Sequence, residues 1–105
     1  YEDCYLVPDE ELRDKSGVMD YDKFSNHPIT LKLKEEVSKV MNVDDGVLWV
    51  EGPDNHHGFW CIHYLFNFNH FTKYKKGYEG LWVQEYWYFD HNMELKMARI
   101  VGRED

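Results

Sequence analysis

The chain has 105 residues, 43% of them apolar and 17% aromatic, with 20 acidic against 12 basic side chains for a formal charge of −8. That length gives one domain, residues 1–105, with a single core. No run of about 18 apolar residues is present, which excludes a spanning helix, and no secretory apolar region is visible. An acidic chain repels phosphate backbones, and its one basic group, Lys73, Lys75 and Lys76 around Tyr74, reads as a solvated turn. Nucleic acid is therefore not an expected partner.

In chain order, residues 3–7 read as a short strand stopped by Pro8. Residues 9–17 follow as one helical turn, with Pro8 at the first helical position and Gly17 closing it. The first 22 residues carry eight acids and two bases, a solvated acidic surface. Residues 20–26 form a loop or a short helical turn carrying Tyr21 and Phe24. The clearest helix spans 28–41, where Ile29, Leu33, Val37, Val40 and Met41 recur at helical spacing. Glu35 and Lys39 are correctly ordered for a pair one turn apart.

Residues 42–46 then make a turn, and 47–51 a strand. A longer turn with His56 and His57 precedes the longest strand, 59–71. Its even positions from Trp60 to Phe68 are apolar, while Cys61, His63, Asn67 and Asn69 make the odd set mixed. Alternation of that kind gives the two faces different tasks: one packs the core, and the other meets a pocket, solvent or a second subunit. A Lys- and Tyr-rich turn over 72–79 leads to a closing hairpin, 80–101. The order predicts an α+β domain, with a mostly antiparallel sheet and a helix across one face.

Cys4 and Cys61 can form at most one bridge. Cys61 lies in a very apolar strand and reads as a buried reduced thiol, which places the chain in a reducing, cytoplasmic compartment.

The hairpin Glu85-Tyr-Trp-Tyr-Phe-Asp-His-Asn-Met-Glu-Leu95 resembles the closing hairpin of the nuclear transport factor 2-like superfamily, which includes SnoaL-like cyclases and ketosteroid isomerases. Asp3-Cys-Tyr-Leu-Val-Pro8 is similar to that family's first strand, and the helix at 28–41 stands where its next helix belongs. The resemblance implies a cystatin-like cone, in which a curved sheet is wrapped by helix around a largely apolar pocket. The family's long opening helix would lie before Tyr1. It also implies a homodimer formed through the outer face of the sheet. The Gly usual in the last turn is replaced near Asn92-Met93, where Asn92 is expected to supply the special backbone angles.

Glu85 is the leading candidate for chemistry. Val83, Trp87 and Phe89 share its face by alternation and would desolvate a carboxyl group. By resemblance to the isomerases, an acid at this position donates a hydrogen bond to a developing oxyanion, or acts as a general acid or base. The alternative is a structural pair with Arg99 or Lys96 on the next strand. The isomerase base would fall at Val7, which cannot take a proton; Asp9 or Asp3 would serve only after a change of register.

His63 is the second catalytic candidate, as a proton shuttle beside a carboxylate, with a buried or interface histidine as the alternative. Trp49, Trp60, Tyr64, Trp87 and Phe89 are expected to line an aromatic cavity for a small apolar or cyclic molecule. His56, His57, His63 and His70 match no metal-ligand spacing, so no metal and no cofactor are expected. Nucleophile-elbow and phosphate-binding glycine motifs are absent from the sequence. The functional expectations are a SnoaL-like isomerase, cyclase or dehydratase using Glu85, or a non-catalytic ligand-binding or dimerisation domain. A protein–protein adaptor with an exposed apolar patch is the third.

Overall fold

A computed structural model describes residues 3–54, 58–68 and 80–103. The chain is α+β. Its strands are β1 (Leu6–Pro8), β2 (Val47–Asp54), β3 (Phe59–Phe68), β4 (Leu81–Phe89) and β5 (Leu95–Arg103), and its α-helices are α1 (Tyr21–Asn26) and α2 (Pro28–Ser38). The strands form one five-stranded antiparallel sheet, strongly curled into a half-barrel.

β3 is the axis of the sheet. β2 runs along one edge of β3, pairing Trp49 with His63 and Glu51 with Cys61. The other edge is shared by β1, opposite Phe59, Trp60 and Cys61, and by β4, which starts its pairing at His63–Tyr88. β1 is therefore too short to continue, because β4 takes over its partner strand. The preceding residues attach to the end of β4 instead, through Tyr5 N–H to the Phe89 carbonyl (2.7 Å) and a Cys4–Asp90 bridge.

The register sorts the side chains by face. Ile62, Tyr64, Phe66 and Phe68 of β3 share the inner face with Leu48 and Val50 of β2, and with Val83, Glu85, Trp87 and Phe89 of β4. The helix α2 covers this face with Thr30, Leu33 and Val37, all fully buried and spaced three and four residues apart. Tyr64, Phe66 and Phe68 stack in sequence along the strand, with ring centroids 5.9 and 6.4 Å apart. Gly46 is required where the chain enters β2, since a Cβ there would lie 2.5 Å from the Phe66 ring.

Local chemistry fixes the helix ends. Asp20 caps α1 by accepting from the Asp22 and Lys23 N–H groups at 3.0 and 3.2 Å. His27 caps α2: Nδ1 accepts from the Ile29 N–H at 3.1 Å, so the ring proton resides on Nε2 and is donated to Glu11 at 2.9 Å. Pro28 opens α2, where its missing N–H costs nothing.

Several expectations change. Residues 20–26, open between loop and helical turn, include an α-helix. Helix α2 stops at Ser38, so Val40 falls in the following turn, loses the helical phase and is 56% exposed. Lys39 pairs with Glu36 at 3.0 Å, not with Glu35. In the last turn Met93, not Asn92, takes the left-handed conformation (φ 63°). The Asp90 carboxylate steadies that turn by accepting from the Asn92 and Glu94 N–H groups, both at 2.9 Å.

The largest correction concerns the cysteines. Cys61 is not a thiol: it is disulfide-bonded to Cys4, 57 residues away, with Cα atoms 6.0 Å apart. The bridge lies on the outer face of the sheet with Tyr88, Leu6 and Ala98 around it. It removes the ground on which a reducing compartment was expected, since disulfides persist where the surroundings are oxidising. Among the described residues no helix is long and apolar enough to cross a membrane.

Candidate functional site

The inner face is filled by α2 over most of its length, but α2 ends before the sheet does. Beyond Ser38 the chain turns away, and the gap between that turn and the sheet is a cleft of about 580 Å³. Val40, Met41, Asn42 and Asp45 form its helix-side wall. Phe68, Glu85, Trp87, Met97 and Arg99 form the sheet side.

Glu85 is the buried acid of this cleft, only 4% exposed. The β4–β5 register puts Arg99 directly opposite it. Arg99 Nε donates to Glu85 Oε2 at 2.9 Å, and an Nη2–H group donates to the same oxygen. The Arg99 side chain is 41% exposed and that of Glu85 5%, so the pair has its carboxylate in the wall and its partner toward the opening. Of the two structural partners that sequence allowed, Arg99 takes the role. Lys96 lies three register positions further along, opposite Tyr88 on the outer face, near Asp90 (3.9 Å) and Glu94 (3.7 Å).

The other predicted residues are dispersed. Trp87 shares the cleft with Glu85. Its indole nitrogen is buried and lacks a hydrogen-bond partner among the described residues. Tyr64 and Phe89 are on the same face but belong to the packed core, 3% exposed each, with the Lys32 ammonium 5.4 Å from the Phe89 ring centre. Burial pushes the Tyr64 hydroxyl above the usual tyrosine range, with Asp44 adding to it.

Trp60 packs against the core at the far end, where its indole N–H is donated to Asp9 and the Arg13 guanidinium lies 5.3 Å from its ring centre. Trp49 pairs with His63 on the outer face and is 53% exposed, on the opposite side of the sheet from Tyr64 and Trp87.

His63 is also on the outer face, across the sheet from Glu85, and the two do not meet. It is 1% exposed, with the Tyr86 ring 5.2 Å away and a Glu51 carboxylate oxygen 3.9 Å from Nε2. Burial pulls its pKa down to about 4, against a smaller opposing contribution from the Cys61 backbone. Such a histidine is neutral near pH 7, as a packed aromatic would be.

Neither stand-in base reaches the cleft. Val7 is fully buried at the expected base position. Asp9 is engaged by Trp60 and Arg13, and the Trp60 N–H leads in holding its carboxyl below the usual range. Asp3 accepts from the Tyr88 hydroxyl at 2.9 Å, which lowers the acid. Burial, reinforced by Asp3, pushes that phenol up to about 12.

Met41, Asn42, Asp45 and Met97 are cleft residues that the sequence did not single out. Met97 could have been found by pairing it with Trp87 across the hairpin. The other three depend on where α2 ends. His56, His57 and His70 and the lysines at 73, 75 and 76 lie outside the described residues. Among the described residues no three His, Cys, Asp or Glu side chains converge as a metal site would require.

Comparison of the chain with protein-family models, with curated proteins and with solved structures finds no match. The site therefore rests on its own geometry.

Proposed function

We propose that this chain is a cone-shaped domain of the nuclear transport factor 2-like kind that binds a small apolar or cyclic molecule in the cleft beyond α2, without acting on it chemically. The curled antiparallel sheet and the helix across its inner face support the fold assignment. The cleft supports the binding reading: Val40, Met41, Phe68 and Met97 offer apolar contact, and polar groups stand at the rim.

The observation that carries the non-catalytic choice is the Glu85–Arg99 pair. A carboxylate already engaged by a guanidinium on the neighbouring strand is a binding and structural group. His63, the second group expected for acid–base turnover, is on the other face of the sheet. Copies of the chain are proposed to pair through the outer face of the sheet, where Phe59 and Ile100 are 40% and 45% exposed.

A thermal-shift screen of cyclic apolar compounds tests the binding reading. A ligand that raises the melting temperature of the wild type should lose that effect in Met97→Asp, which places a charge at the sheet wall. A hit equally effective on both proteins would remove the cleft as the site. Turnover of a hit that disappears in Glu85→Gln would restore the acid–base enzyme reading.

A further inference from the structure

A second groove, remote from the cleft, runs along the edge of β2 that no described strand pairs. Four consecutive residues, 47–50, line one cavity of about 300 Å³ together with Met19, Tyr21 and Phe24. Neighbouring residues of a strand point to opposite faces. A cavity touching all four of them must therefore lie against the strand's edge, where every second residue presents its backbone N–H and C=O. β2 pairs with β3 on its other side, and no described residue pairs with this edge. Proteins protect such edges with charge, proline or a bulge. Here those devices come late: Glu51 and the register irregularity between Glu51 and Asp54 mark the end of the strand, while residues 47–50 carry neither charge nor proline.

We infer that this edge accepts an extended, basic segment of a partner protein, which adds a short strand to the sheet and lays apolar side chains between β2 and α1. Backbone pairing supplies the affinity of such recognition, and alternate side chains supply the choice of partner. Tyr21 and Trp49, 74% and 53% exposed, form the two aromatic walls.

Charge selects the partner. Met19 and Tyr21 are interleaved with Asp20 and Asp22, Asp44 lies three residues before the strand, and Glu51 follows residue 50. The nearby Lys23 is turned away, donating to the Arg13 carbonyl at 2.9 Å. A second copy of a chain with net charge −8 would bring these same acids together, whereas a lysine-bearing strand would neutralise them.

The probe is a fluorescein-labelled octapeptide alternating lysine and valine, titrated into the intact protein and followed by anisotropy. Saturable binding is expected, weakened about tenfold when alternate peptide nitrogens are methylated, because methylation removes the pairing donors. Tyr21→Ala should weaken it about fivefold or more, since exposed aromatic walls dominate such sites. Asp22→Lys should weaken it about threefold and flatten its salt dependence. Both substitutions are at exposed positions, and the fold should tolerate them. Unchanged affinity for the methylated peptide, or equal affinity for a glutamate–valine peptide, would overturn the inference. So would the absence of saturation up to about 1 mM, or self-association of the wild type that Tyr21→Ala abolishes.

Discussion

The two faces of this sheet are built from the same strands, yet they solve different problems. The inner face buries Phe66, Val83 and Tyr64 under α2 and opens beyond Ser38 into the cleft, where Glu85 pairs with Arg99. The outer face has no helix among the described residues. It is held by a disulfide at one point, buries His63 beside it, and exposes Phe59, Trp49 and Ile100. One face is stabilised by packing; the other relies on covalent and aromatic contacts and retains apolar surface to offer.

Substitutions that tell the faces apart should differ in size. Phe66→Ala removes a fully buried ring from the inner core and is expected to cost about 3–5 kcal/mol, read from denaturant midpoints. Phe59→Ala on the outer face, where the ring is 40% exposed, should cost about 1 kcal/mol or less. Equal costs would mean that the outer face is packed as tightly as the inner one. Replacing Cys4 and Cys61 together with serine should cost about 2–5 kcal/mol, because the bridge spans 57 residues of chain and both sulfurs are buried. A double variant as stable as the wild type, with no free thiol in the wild type, would show that the outer face does not depend on the bridge.

His63 gives a smaller, pH-dependent contrast. Its folded pKa, about 4, lies below the ordinary value of 6.5, so the folded state resists the proton that the unfolded chain accepts. The stability held by a neutral His63 is fully present above pH 6.5 and is lost as pH falls toward 4, by up to about 3 kcal/mol. His63→Phe should flatten this part of the stability curve. A slope that survives the substitution would assign it to other groups.

The sequence made much of the inner face readable. Alternation in residues 59–68 and in the closing hairpin separated the two faces, and Leu33 and Val37 marked the covering side of the helix. The ion pair was legible as a choice of two, because register could put either Arg99 or Lys96 near Glu85. The outer face was less readable. Apolar surroundings around Cys61 suit a buried thiol and a buried disulfide equally, and only the approach of residue 4 along β3 decides between them. Trp49 and Trp60 look alike as aromatics in strands. A one-residue difference in phase sends the first outward and the second inward. The cleft itself was hidden because it depends on Ser38 ending α2 early, and helix ends are weakly encoded where Val40 and Met41 continue the apolar pattern.

The proposed binding site is the inner-face cleft around Glu85 and Arg99. It is tested most directly by titrating a stabilising cyclic ligand into isotope-labelled protein and following backbone amide shifts. The largest changes are expected on Met41, Asn42, Glu85, Met97 and Arg99, while Trp49, His63 and Ile100 on the outer face stay still. Shifts concentrated on those outer-face residues instead would contradict it.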